Sequence, residues 1–188
     1  MTAARMWRRA LGDNERPLLS HEAEHVRRRR DVAAARYKPE VVELLLVAEA
    51  PPAALDRYFY FEDVPDQDSL FRHIVRAVLA IEPSRSQKPA QLQRLADRGV
   101  FLIDLKPDPK LPGETLEAYV AKLVGRAVEL QPRHVITIKA NVCELSQQPL
   151  RAAGLHVIDE RVQFPGSGQQ RRFLERMAAA LTSIGWRP

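Results

Sequence analysis

Short, nearly uncharged apolar runs alternate along this chain with segments whose apolar residues recur at helical spacing. Few folds accept that alternation. Val41 to Ala48 is one such run, broken only by Glu43. Val100 to Leu105, Val135 to Ile138 and, more weakly, Leu155 to Ile158 are the others. Runs of this length read as strands covered on both faces. Between them, Leu70, Phe71, Ile74, Val75, Val78 and Leu79 form one helical stripe within 69–81, and residues 114–130 and 169–184 repeat the pattern. Gly99 and Gly154 fall just before strands, where helices end. Strands separated by helices predict βαβ units, so the expected fold class is α/β with a central, mainly parallel four-stranded sheet.

At 188 residues the chain is expected to be a single domain over 1–188. Its net charge of +5 is unevenly placed. A basic N-terminal arm and helix, at about residues 1–38, carry ten lysines and arginines against five acids, and the remaining 19 of each balance. That helix is expected near 21–36, capped by Ser20. Its run Arg27, Arg28, Arg29 and Arg30 can neutralise phosphates, or can be a solvated face. The first residues hold arginines but no apolar segment of the secretory type, and no run approaches a membrane span, so a cytoplasmic protein is expected. One cysteine, Cys143, excludes an internal disulfide and a cysteine-built cluster. His21 and His25 have the spacing of two metal ligands but no third nearby, so no metal and no cofactor are expected.

In an open parallel sheet, ligands bind beyond the carboxyl ends of the strands. Three segments meet that description. The first is Glu49-Ala50-Pro51-Pro52, opening the irregular stretch 50–68 with its four consecutive aromatics Tyr58-Phe59-Tyr60-Phe61. The second is Asp104-Leu105-Lys106-Pro107-Asp108-Pro109, and the third Phe164-Pro165-Gly166-Ser167-Gly168. A glutamate at a buried strand end is expected to have a raised pKa, which suits general-base work or stabilisation of a developing cation. It could equally accept loop amides or pair with an arginine. Two of the four rings are expected in the core, with another free to stack a base. Gly166, Ser167 and Gly168, followed by Arg171 and Arg172 at a helix start, make a candidate phosphate seat. Lys106 and Lys139 end strands, where they line the crevice or reach solvent.

Ala48-Glu49-Ala50-Pro51-Pro52 resembles the first motif of the uracil-DNA glycosylase superfamily, above all the Gly-Glu-Ala-Pro-Gly form of its iron–sulfur branch. Phe101 to Pro109 is similar in position to that branch's second strand and its exit, and 164–168 stands where the family has a His-Pro-Ser motif. The resemblance spans roughly 41–184 and implies a three-layer α/β/α fold. It also implies flipping of a damaged or deaminated base out of double- or single-stranded DNA, and hydrolysis of its N-glycosidic bond. On that basis Glu49 and Asp104 would be catalytic. Ala50, Pro51, Tyr60, Phe61, Phe164 and Ser167 would hold the substrate. Arg27 to Arg30, Gly166, Gly168, Arg171 and Arg172 would hold DNA. Asp104 stands where the family reads uracil with an asparagine, Phe164 stands at the motif histidine, and the four cluster cysteines are absent. An ionised aspartate only accepts, which points to a base bearing an exocyclic amine. A non-catalytic nucleic-acid-binding relative, or a small-molecule or nucleotide hydrolase using the same crevice, would share these features.

Overall fold

The computed structural model describes residues 20–64, 68–166 and 168–188, with the backbone alone for 20–22. The basic arm before residue 20, the capping of the first helix by Ser20, the His21 side chain and Ser167 therefore lie outside the described residues. The described elements run α1 (Ser20–Arg36), β1 (Leu44–Ala48), α2 (Ser69–Leu79), α3 (Lys88–Asp97), β2 (Val100–Asp104), α4 (Glu117–Leu130), β3 (His134–Thr137), α5 (Ala140–Ala152) and α6 (Gln170–Ser183). The fold is α/β. Its sheet is parallel, in the order β2-β1-β3, with Leu44 opposite both Val100 and His134. Central β1 has no solvent exposure from Leu44 to Val47, as its uninterrupted apolar sequence requires. No helix among the described residues is long and apolar enough to cross a membrane.

The segment 155–158, expected as a fourth strand, is not one. It meets β3 through two isolated parallel bridges, Val135 with Val157 and Ile138 with Val162. The bridges are three residues apart along β3 and its exit and five apart on the incoming segment, so the ladder loses register between them. The residues that bulge out include Asp159, Glu160 and Arg161, whose charges face ion-pair partners on the helices rather than a sheet neighbour.

Junctions fix the strand ends. Gly99 turns α3 into β2 at φ +71°, and a Cβ there would lie 2.8 Å from the Val41 carbonyl oxygen and 2.9 Å from the Glu43 nitrogen. Asp68 caps α2 by accepting from the Leu70 and Phe71 amides at 3.1 and 3.3 Å. Among the described residues, no strand lies beside the outer edge of β2. The Tyr60 hydroxyl donates to the Leu102 carbonyl at 3.0 Å and accepts from the Leu102 amide at 2.7 Å. Arg126, on α4, donates to the Asp104 and Leu105 carbonyls at 2.8 and 3.0 Å.

The arginine helix docks without an apolar stripe. Arg29 lies over the Phe61 ring at 4.4 Å and Arg30 over Tyr58 at 5.9 Å, while Arg36 pairs with Glu62 at 2.5 Å. Cation–π contact and methylene stems replace the usual hydrophobic face. Arg30 is 2% exposed, whereas Val32 on the opposite side is open to solvent.

Candidate functional site

The carboxyl ends of the three strands carry two charged clusters. Glu49 leaves β1 and turns towards β3. Its Oε2 accepts from Lys139 Nζ, and its Oε1 accepts from Asn141 Nδ2 at 2.5 Å. Lys139 lies between β3 and α5 and Asn141 in the first turn of α5, so the order β1-β3 brings these residues together with Glu49 across about ninety positions of sequence. Asn141 in turn accepts from the Val142 amide at 2.9 Å, which fixes its amide group. Lys139 has φ 87° and ψ 139°, a conformation that suits glycine and costs a lysine on the order of 1–3 kcal/mol. Such strain persists only where the surroundings hold it.

The expectation of a raised Glu49 pKa is overturned. Burial alone pushes the carboxyl up. The hydrogen bonds from Lys139 and Asn141, with the charges of Lys139 and Lys110, outweigh burial and leave it below the ordinary carboxylate value. Glu49 is therefore ionised throughout the neutral range. It can orient water or a hydroxyl, or face a developing positive charge, but it is a poor proton acceptor.

Asp104 is the reverse case. It ends β2 opposite Ala48, is 8% exposed, and makes no hydrogen bond through its carboxylate among the described residues. Burial drives its pKa up, Arg126 and Arg30 pull it back, and Asp68 and Glu49 add to the rise, leaving it at about 7. At neutral pH it is divided between a carboxylate and a carboxylic acid, so it can donate as well as accept. The sequence expectation of a group that only accepts is corrected to that extent. Asp104 lines a cavity of about 240 Å³ between α1, the outer edge of β2 and α4, together with Tyr58, Arg30 and Arg126. Arg30 is buried and Arg126 half-buried, and neither has a carboxylate within ion-pair distance among the described residues.

The remaining expected site residues divide. Ala50 is half-buried and Pro51 buried beside Glu49. Phe59, Tyr60 and Phe61 all pack in the core, at 6%, 3% and 5% exposure, so three of the four rings point inward where two were expected. Tyr60 and Phe61 do not face the crevice. Tyr58 does: its ring meets Tyr60 and Phe61 edge-on at 5.7 and 5.4 Å and borders the Asp104 cavity. Phe164 is exposed, and its ring would touch a Cβ on Gly166 at 3.1 Å. Pro165 is buried and accepts from the Ser69 hydroxyl at 2.6 Å, which ties this turn to the start of α2. Gly168 has φ +80°. Arg171 and Arg172 are exposed, the former beside Glu175 at 3.4 Å.

In the arginine run only Arg28 is both exposed and uncommitted in the described contacts, since Arg27 pairs with Asp108 at 3.2 Å and Arg29 and Arg30 pack on rings. Lys106 neither lines the crevice nor reaches solvent. It is buried against Glu114, whose carboxyl its hydrogen bond, helped by the Leu111 amide, holds down at about 2. Sequence reasoning missed Asn141, Arg126 and the pairing of Lys139. The nearest signal was the position of Lys139-Ala140-Asn141 at the exit of the third apolar run.

The chain matches no protein-family model, and a search of curated proteins finds no relative.

Proposed function

We propose that this chain is a uracil-DNA glycosylase-like protein that hydrolyses the N-glycosidic bond of a deaminated or damaged base in DNA. In this reading 155–162 plays the part of a degenerate fourth strand in a three-layer α/β/α fold. The observation that carries the proposal is Glu49: an ionised carboxylate at the exit of the central strand, aimed by Lys139 and Asn141. In the reaction the C1′–N bond breaks and its electron pair leaves with the base. The oxygen of a water molecule bonds to C1′, and its released proton ends on the base. Glu49 orients that water and faces the positive charge on the sugar, an electrostatic task that needs a fixed ionised group. Asp104 and Tyr58 meet the base.

DNA duplexes carrying uracil, hypoxanthine or xanthine, incubated with the protein and treated with alkali, test the proposal. Strand nicking is expected on at least one of them, and Glu49→Gln is expected to lower it at least about a hundredfold. Intact strands with all three lesions would sink the activity. The pairing of Glu49 with Lys139, which offsets its charge, favours a second reading, a non-catalytic nucleic-acid-binding relative. DNA binding that survives Glu49→Gln without any base release would establish that reading.

A further inference from the structure

The cavity beside β2 has an arrangement of charge that the protein's own contacts leave open. Arg30 and Arg126 flank Asp104 closely enough to shift its titration, yet no direct ion pair joins either guanidinium to the carboxylate. The hydrogen bonds of the two arginines instead go to backbone carbonyls: Arg30 Nη2 to Pro52 at 2.9 Å, and Arg126 Nη2 to Asp104 and Leu105. Arg30 Nε is buried with no partner among the described residues. Burying a cation without a counter-charge in contact is costly, and a group that bridges cation and carboxylate offsets that cost. The cavity wall adds the Tyr58 and Phe101 rings, which suit a flat ligand. Its volume of about 240 Å³ is below the roughly 300–1,000 Å³ of drug-sized sites, and so fits a single heterocycle.

We propose that this cavity binds a guanine-type base, with Arg30 or Arg126 donating to its O6/N7 edge and Asp104 accepting from its N1–H and 2-amino group. The ligand must present a paired acceptor edge to a guanidinium and adjacent donors to a carboxylate. Arginine takes up the O6 and N7 of guanine in a bidentate manner, whereas adenine offers a donor at the same edge. Uracil has one imide donor and no amine, so it leaves Asp104 half used. The inference rests on the proposed function for the idea that a base reaches this rim, and goes beyond it, since a guanine-type base keeps the exocyclic amine that uracil, hypoxanthine and xanthine lack.

Titration calorimetry at pH 8 with guanosine, inosine and adenosine tests this with the unaltered protein. Guanosine is expected to bind about tenfold tighter than inosine, which lacks the 2-amino group, and tighter still than adenosine. Asp104→Asn, folded by the criterion of a cooperative melt, is expected to reduce guanosine binding about tenfold and to narrow the gap to inosine. No heat with millimolar guanosine, or adenosine binding as tightly, would overturn the proposal. Binding is read without bond cleavage. A failure to release bases from DNA therefore stays separate from a failure to bind guanosine.

Discussion

At the scale of single residues, the two carboxylates at the strand ends are driven in opposite directions by their neighbours. Glu49 meets two donors at hydrogen-bond distance and stays charged. Asp104 meets none, and burial wins over the more distant Arg126 and Arg30, with Asp68, Glu49 and the Tyr58 phenol also facing it. Unfolded, an aspartate titrates near 3.9. Between that value and about 7 the folded protein holds a proton the unfolded chain lacks, so this group's contribution falls as pH rises through that window and levels off above it. Asp104→Asn removes the penalty. It is expected to stabilise the protein at pH 8 by on the order of a few kcal/mol and to change little at pH 4, as thermal melts at the two values would read. Equal effects at both pH values would mean the carboxyl is not held protonated.

Both carboxylates were legible in the sequence because each ends an apolar run. Their opposite states were not, because Lys139, Asn141 and Arg126 approach only once the strand order β2-β1-β3 is known. The four aromatics of 58–61 lie in an irregular stretch with no period to say which rings face inward, and the structure sends three of them to the core.

At the scale of elements, the α3–β2 junction decides whether the sheet can form. Gly99 accepts, through its carbonyl, from the Glu43 and Leu44 amides at 2.9 and 3.1 Å, and a Cβ on it would run into the segment entering β1. Gly99→Ala adds a methyl group where backbone atoms already stand, at a φ that disfavours any side chain. A loss of about 2 kcal/mol or more is expected by denaturant titration. An effect no more destabilising than that of Gly125→Ala, a position within α4 with open space where alanine favours the helix, would count against the close approach. This glycine was legible as a helix stop. The loss of register between 157 and 162 was not, since Val157, Ile158 and Val162 are apolar enough for a strand and only their offset against β3 breaks the ladder.

At the scale of the whole molecule, the arginine run of α1 is less available than its composition suggests. Arg29 and Arg30 hold α1 on the domain, so reversing the whole run would unseat the helix as well as remove charge. Arg28, Arg171 and Arg172 are exposed, and their charge is the kind that phosphates attract. Reversing these three is expected to weaken DNA binding and flatten its dependence on salt while leaving the melting temperature within about 2 °C. Fluorescence anisotropy over a salt series checks it, and an unchanged slope would place the nucleic-acid surface elsewhere.

The hydroxyl of Tyr60 and the guanidinium of Arg126 have one more consequence. Between them they occupy backbone groups of Leu102, Asp104 and Leu105 that an extended peptide would need in order to join the sheet. From Leu102 to Leu105 this edge is thus obstructed to strand addition, whether by a ligand peptide or by a second copy. Whatever binds beside that stretch of β2 meets the Tyr60 and Arg126 side chains in place of a free backbone ladder.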